Sequence, residues 1–133
     1  MKYYLLDTSV AVRIMYGQSP EAAHWFDRET GNEGSVVLAS RLLKTELTRV
    51  LRRDELPVQR RDALLDYLHV IPFTEAVFAE AEAILPHIKT LDAIHLASLV
   101  HSGLDAVVVT HDATMRSVAR RIGYETFDPV VDV

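Results

Sequence analysis

The chain has 133 residues, a net charge of −5 and no cysteine, which predicts one domain over residues 1–133 and excludes disulfides and thiolate metal sites. No apolar stretch is long enough to span a membrane, and the first apolar run stops at Asp7, too early for a secretory signal. We therefore expect a cytoplasmic protein without membrane contact, whose overall acidity argues against nonspecific nucleic-acid binding.

Short apolar runs alternate with helical patterns along the whole chain. The apolar runs predict strands at 3–6, 36–39, 69–73, 106–109 and 124–127. Capping residues, prolines and glycines predict helices at 8–16, 20–30, 41–53, 57–68, 75–85, 91–102 and 112–122. Continuous apolar strands between helices are typical of a parallel sheet that is covered on both faces. The predicted fold class is α/β, a three-layer α/β/α domain with a central parallel sheet.

Four acidic residues follow predicted strands or lie near predicted helix starts. Asp7 and Asp112 come after the first and fourth strands, Asp92 opens the sixth helix, and Glu46 lies one and a half turns into the third. Open α/β folds bind ligands at the carboxyl edge of the sheet, so we expect the four side chains to meet there. A ligand set made only of oxygen favours Mg²⁺ or Mn²⁺ over zinc.

Each acid also has a purely structural explanation. An acid after a strand can cap the next helix, and Asp92 can complement its helix dipole. Glu46 can pair with Arg49 or Arg53 on its own helix. The joint arrangement favours a metal, because carboxylates about 5 Å apart repel by roughly 3 kcal/mol per pair at an effective dielectric of about 20.

Two histidines lie beside these acids in the sequence. His95 follows Asp92 by three residues and could touch the site, but a buried core histidine with its hydrogen bonds satisfied is the stronger interpretation. His111 precedes Asp112, which on its own is weak evidence for a functional role.

Aromatic residues concentrate on the first two predicted helices, at Tyr16, Trp25 and Phe26. Core packing is the default explanation, and the alternative is an exposed patch for a protein partner. We predict a partner surface around Val12 and these three aromatic residues, occupied by a helix lying in a groove.

Four segments of the chain closely resemble the PIN-domain ribonucleases, and most of all the VapC toxins of bacterial and archaeal toxin–antitoxin pairs. The segments are Leu5–Ser9, Lys44–Glu46, Thr90–Ala97 and Val109–Asp112. They occur in order and at similar spacing over essentially the whole chain, and the first and third are the specific ones.

The resemblance implies a PIN-like domain that is a Mg²⁺- or Mn²⁺-dependent endoribonuclease. It implies an acidic quartet that binds the metal and carries catalysis, formed by Asp7, Glu46, Asp92 and Asp112. Thr8 and Thr110 would be supporting hydroxyls. It also implies an RNA substrate, a small cognate antitoxin, and a homodimer or a hetero-oligomer with that antitoxin.

Arginine makes up most of the cationic residues, and several arginines cluster near the predicted site. A basic rim around an acidic centre suits a phosphate substrate that is recruited with a metal. Arg49, Arg53 and Arg116 are the candidates for binding flanking phosphates.

Three other classes of protein remain as alternatives. A signalling receiver domain needs a lysine after a late strand, and no lysine follows 106–109 directly. A haloacid-dehalogenase-type phosphatase needs Asp-x-Asp after the first strand, where this chain has Ser9. A non-catalytic binding module with a vestigial site is disfavoured by the four intact acids.

Overall fold

The computed structural model describes residues 1–130 of the chain. In that part, five strands form one sheet in the order β3-β2-β1-β4-β5, and every neighbouring pair is parallel. The strands are β1 Lys2–Leu6, β2 Ser35–Ser40, β3 His69–Ile71, β4 Ala106–Val109 and β5 Thr126–Phe127. The central strand β1 therefore lies between β2 and β4, and the predicted parallel sheet is confirmed.

Helices connect successive strands and cover both faces of the sheet. They are α1 Thr8–Met15, α2 Pro20–Thr30, α3 Arg41–Arg53, α4 Asp62–Leu65, α5 Glu75–Ala83, α6 Thr90–Ser102 and α7 Ala113–Arg121. A single 3-10 turn, Val58–Arg61, precedes α4. No helix within residues 1–130 combines the length and the apolar character that a membrane span requires.

Several predicted elements are shorter in the structure than the sequence suggested, among them the last strand, which was predicted at 124–127 and is only Thr126–Phe127. The helix expected at 57–68 is only the 3-10 turn and the short α4, and Leu64 is its one fully buried residue, which leaves little packing to hold a longer helix. Strand β3 ends at Ile71 because Pro72 has no N–H for the ladder. Helix α5 ends before Pro86, which disfavours helical geometry in the preceding residue.

The predicted helix caps are confirmed in part. Ser19 caps α2 by accepting a hydrogen bond from the N–H of Ala22 at 3.2 Å, and Gly103 ends α6 in the left-handed region at φ 71°. Ser40 and Thr74 occupy N-cap positions, but neither side chain makes a capping bond. The hydroxyl of Ser40 is therefore available for another partner.

Apolar clusters lie on the two faces of the sheet, as the alternation of side chains along β1 requires. Tyr4 and Leu6 pack on one face with residues from α1, α2 and α3. Leu5, between them, packs on the opposite face with residues from α6 and α7. Helices thus bury both faces, and the three-layer α/β/α architecture is confirmed.

The predicted partner surface on α1 and α2 is contradicted at Trp25 and Phe26, for which the default core explanation is confirmed. Trp25 and Phe26 are each only 2% exposed, and the Trp25 ring meets the Tyr4 ring edge-on at 5.4 Å between centroids. Tyr16 donates its hydroxyl to Asp54 at 2.5 Å, and Val12 packs against the same core cluster. The aromatic density of these helices therefore belongs to the core, where aromatic rings bury the most apolar area.

The core assignment of Trp25 predicts a large loss of stability on truncation. Trp25→Ala should lower the free energy of unfolding by about 3–5 kcal/mol, as for other buried aromatic residues. Leu85→Ala is the matched control, because Leu85 is 94% exposed and its loss should change stability by less than about 0.5 kcal/mol. Urea unfolding of both variants measures the difference, and equal effects would contradict the core assignment.

Candidate active site

Asp7 lies at the junction of β1 and α1, where two hydroxyl groups hold its carboxylate. Its Oδ2 accepts hydrogen bonds from Ser9 Oγ at 2.6 Å and from Thr110 Oγ1 at 2.9 Å. The side chain makes no capping bond to α1, although Asp7 occupies the N-cap position. At 4% exposure, the carboxylate is held nearly buried at the carboxyl edge of the sheet, so helix capping does not explain it.

Thr110 and Ser9 join the carboxyl ends of β1 and β4. Thr110 is fully buried, and its Oγ1 both donates to Asp7 and accepts from the N–H of Asp112 at 3.1 Å. Ser9 Oγ accepts from the N–H of His111 at 2.9 Å. The two hydroxyls therefore fix the loop after β4 against the start of α1, and this brings Asp112 toward Asp7.

Asp112 serves as the N-cap of α7. Its Oδ1 accepts a hydrogen bond from the N–H of Met115 at 2.8 Å, which is the capping role that the sequence left open. The residue is exposed, and its side chain can reach both the cap and the solvent-facing side of the site.

Glu46 projects from α3 toward α1 and α6. Its Oε1 accepts from Thr8 Oγ1 at 2.7 Å and lies 2.5 Å from His95 Nε2. Burial by itself would raise the pKa of Glu46, but the hydrogen bond and charge of His95 and the bond from Thr8 outweigh it, so the pKa is lowered. The carboxylate is thus held in its ionised form.

The alternative explanation of Glu46, a pairing with arginines on its own helix, is not found in the described part of the chain. Arg53 instead pairs with Asp54 through Nε at 2.9 Å and Nη2 at 3.0 Å. Arg49 lines a pocket on α3 together with other cationic side chains. Arg53 is therefore the weakest of the three predicted phosphate-binding arginines, because a carboxylate already occupies its guanidinium.

His95 is both buried and in contact with a site residue. It is 1% exposed, its Nδ1 lies 2.6 Å from Ser40 Oγ, and its Nε2 faces Glu46. An ionised Glu46 only accepts, so Nε2 carries the proton that donates to it, while Nδ1 shares a hydrogen bond with the Ser40 hydroxyl. His95 is thus the buried core histidine that the sequence favoured. It also contacts the site, which was the less favoured interpretation.

Asp92 lies in the first turn of α6, where the other three acids affect its pKa. Burial raises its pKa most, the charge of Asp7 raises it further, and Asp112 and Glu46 add smaller effects. The neighbouring His95 opposes these effects without cancelling them. The four acids therefore share one electrostatic neighbourhood, built from the ends of β1 and β4 and from α3 and α6.

The donor set fits a hard divalent cation, because it consists of carboxylates that repel one another. Within residues 1–130, no three His, Asp or Glu side chains stand in a ready-made cage for an ion. Glu46 is turned toward Thr8 and His95, and Asp112 is turned toward the N-terminus of α7.

A second buried acid, Asp128, lies beside the site and was not predicted. It is 1% exposed, and its Oδ2 lies 2.7 Å from His111 Nδ1 and 3.4 Å from Arg116 Nη2. Asp128 therefore anchors the histidine next to Asp112 and one of the predicted phosphate-binding arginines. The only sequence signal was His111 itself, since no motif marks Asp128.

Comparison with known proteins identifies similar sequences and folds. The PIN domain family model matches residues 4–121. The chain is 34% identical over 130 residues to Ribonuclease VapC47 of Mycobacterium tuberculosis, which covers 93% of this chain and 95% of that protein.

Two solved structures with a similar fold are much less similar in sequence. A toxin–antitoxin complex from Klebsiella pneumoniae has a TM-score of 0.70 and 17% identity, covering 95% of this chain and 97% of that chain. A DNA-bound VapBC from Salmonella typhimurium has a TM-score of 0.69 and 18% identity, covering 97% and 99%. At these identities the two structures support the fold alone.

The electrostatics of the acid cluster predict opposite stability changes for two substitutions in EDTA. The folded protein raises the pKa of Asp92, so ionisation of its carboxyl costs stability. The stability linked to the protonated carboxyl is present below its ordinary pKa of 3.8 and is lost as the pH rises through the folded-state pKa. Asp92→Asn should therefore melt higher than wild type at about pH 7, with an advantage that shrinks toward about pH 4.

Glu46→Gln is the matched comparison, because the pKa of Glu46 is lowered. The stability linked to Glu46 is present above its ordinary value of 4.5 and is lost as the pH falls through the folded value. Glu46→Gln should therefore melt below wild type at neutral pH, and the difference should vanish in acid. Thermal melts in which both variants track wild type at every pH would contradict a converging acid cluster.

Proposed function

The chain belongs to the PIN domain family, and from this membership we propose that it is a metal-dependent endoribonuclease, the toxin of a toxin–antitoxin pair, that hydrolyses RNA phosphodiester bonds. The observation that carries the proposal is the placement of the acids at one edge of the sheet, where Thr110 links Asp7 to Asp112 and Glu46 contacts His95, about one turn after Asp92 on α6. The similarity to a protein named as a ribonuclease supports the same activity. The proposed domain spans residues 1–133, and the proposed location is the cytoplasm.

We propose Mg²⁺ or Mn²⁺ as the cofactor, bound by Asp7, Glu46, Asp92 and Asp112. When bound, such an ion supplies charge neutralisation at the scissile phosphate and makes an attacking water more acidic. The pKa of Asp92 is raised by burial and by its acidic neighbours, so its carboxylate has the most to gain from a nearby cation. The mutual repulsion of the acids thus becomes the driving force for binding the ion.

The protein's own contribution is to hold the carboxylates in place. Ser9 and Thr110 fix Oδ2 of Asp7, and Thr8 fixes Glu46 with the help of His95. Thr8 and Thr110 therefore have contacts that suit the supporting role proposed for them. Donors that orient a ligand in this way commonly change metal affinity or activity by roughly 10–100-fold when removed.

A non-catalytic RNA- or protein-binding module with the same fold is the second candidate. It would keep the acids for structural reasons, as the capping bond that the Met115 N–H donates to Asp112 illustrates. Family membership excludes the receiver domain and the phosphatase, but only cleavage separates an enzyme from a module.

The nuclease proposal predicts metal-dependent RNA cleavage by the purified protein. Cleavage should require Mg²⁺ or Mn²⁺ and stop in EDTA, and Asp7→Asn, Asp92→Asn and Glu46→Gln should each lower the rate by at least about 100-fold. Asp112→Asn should retain more activity, because its exposed carboxylate can act through water. Gel analysis of a labelled RNA panel measures the rates.

Asp27→Asn is the control, because Asp27 is an exposed acid on α2 outside the cluster. It should cleave at the wild-type rate. Full activity in EDTA, or wild-type rates in Asp92→Asn, would refute the metal-dependent mechanism. A folded protein that binds RNA but cleaves none of the panel would favour the binding module.

We also propose a small antitoxin as the protein partner, with a homodimer or a hetero-oligomer as the assembled form. Similar folds that occur in toxin–antitoxin complexes support this partner. The exposed apolar residues that suit it lie around α5, where Phe78 and Leu85 line one pocket and Phe73 contacts Phe78 at 5.6 Å between ring centroids. This surface replaces the one predicted on α1 and α2.

Co-expression with the product of the neighbouring gene tests the partner. Leu85→Asp should reduce co-purification by at least about tenfold, because it places a charge in an apolar contact. Gln18→Asp is the control, since it adds the same charge to the exposed turn between α1 and α2. If the wild-type protein does not co-purify with the product of the neighbouring gene, the toxin assignment fails while the nuclease assignment stands. If Gln18→Asp alone loses the partner, the α5 surface is wrong.

A further inference from the structure

A pocket beside α3 concentrates positive charge in an otherwise acidic protein. It measures about 220 Å³, and its lining residues are Arg41, Lys44, Thr45, Thr48, Arg49 and Arg61. Four of these six side chains are cationic and none is acidic, although the chain as a whole has a net charge of −5. Such a local excess of one sign raises the concentration of oppositely charged ligands at the surface.

Neutral hydroxyls, and not carboxylates, position the guanidinium groups of the pocket. Arg61 Nη1 donates to Thr48 Oγ1 at 2.5 Å, and Arg41 Nη1 donates to Thr45 Oγ1 at 3.3 Å. The one ion pair within residues 1–130 that involves a lining cation is the loose contact between Arg61 Nε and Asp62 Oδ1 at 3.9 Å. The pocket therefore retains most of its charge for an external anion.

The same helix carries the pocket and an acid of the candidate active site. Arg49 follows Glu46 by three residues, which is nearly one turn, and Arg41 begins α3 directly after Ser40, the partner of His95. A helix with its side chains is about 10–12 Å across, and Arg49 is the lining cation that lies nearest to Glu46 around α3, while Lys44 lies farther round the helix.

We propose that this pocket binds backbone phosphates of the RNA strand beside the bond that is cleaved. The inference rests on the proposed nuclease function and names the surface that holds its substrate. Planar guanidinium groups can bind phosphate oxygens through two parallel hydrogen bonds, and the hydroxyls keep Arg41 and Arg61 at the pocket wall. Contacts of this kind hold the strand without reading its sequence.

Nucleic acid fits the pocket better than an acidic segment of a protein partner. Hot spots of protein interfaces combine arginine with buried Trp and Tyr, and none of the six lining residues of this pocket is aromatic. The large exposed apolar side chains of residues 1–130 lie elsewhere, several of them around α5. The protein partner and the RNA thus have separate candidate surfaces.

Salt-dependent RNA binding tests the proposal in the Asp92→Asn background, where the RNA stays intact. Arg41→Gln, Lys44→Gln and Arg49→Gln are combined in one variant, and the probe is a labelled 12-nucleotide single-stranded RNA followed by fluorescence anisotropy. Each lost phosphate contact on a single strand should reduce the slope of log K against log salt by about 0.7, so the combined variant should lose about 2.

The matched control removes the same number of charges elsewhere. Arg28→Gln, Arg120→Gln and Arg121→Gln change the net charge equally, on α2 and at the C-terminal end of α7, and should leave the slope within about 0.7 of the parent value. Thermal melts verify that both variants are folded. If the combined pocket variant melts below its parent, Arg49→Gln alone carries the test, because Arg49 is exposed and its loss should reduce the slope by about 0.7.

Each outcome either supports or overturns the proposal. Equal slopes for the pocket variant and the control variant overturn it, as does the absence of measurable RNA binding by the parent at low salt. A pocket variant that loses the protein partner but binds RNA like the control shows that the pocket serves the partner. Loss of RNA binding in a protein whose wild type cleaves no RNA supports the pocket and refutes the nuclease function, so the two can fail separately.

Discussion

Repulsion between carboxylates at the carboxyl edge of the sheet is the constraint that the rest of the site is built around. Asp92 is half-buried among acids, and the structure offsets this cost with hydroxyl and imidazole donors that hold the neighbouring carboxylates. The acids come from four separate elements, and the strand order with β1 at the centre is what brings the ends of β1 and β4 side by side. Acids that repel one another at the carboxyl edge of the sheet lower the stability of the fold, and such a trade-off between stability and activity is common at active sites.

The donors that hold the acids form two distinct groups. One is local to β1 and β4, where Ser9 and Thr110 fix Asp7 through hydroxyls that are themselves bonded to the backbone after β4. The other reaches across the sheet edge from β2 through Ser40 and His95 to Glu46. Every buried side-chain N or O atom in residues 1–130 has a hydrogen-bond partner, so the site combines repulsion between carboxylates with complete hydrogen bonding.

The sequence reveals those parts of the fold and site that follow from local pattern. Apolar runs and capping residues located every strand and most helices, and the position of Asp7 and Asp112 after strands was enough to expect them at one edge. The chain of contacts from Ser40 to His95 was not predictable, because it joins residues 55 positions apart and a serine before a helix looks like a cap. The default core explanation for Trp25 and Phe26 is confirmed, but the partner surface predicted around them is not, since aromatic density does not reveal which face of a helix meets the sheet. Asp128 carries no local signal at all.

The hydrogen bond between Thr110 and Asp7 determines when the acid cluster can form during synthesis of the chain. It joins residues 103 positions apart, so the carboxylate at the start of the chain is not fixed until β4 has been synthesised and has paired with β1. Chains emerge from the ribosome at about 5–20 residues per second, so most of each synthesis cycle passes with the acids unassembled. The acid cluster is therefore a late product of folding, because it forms only after β4 has emerged and paired with β1.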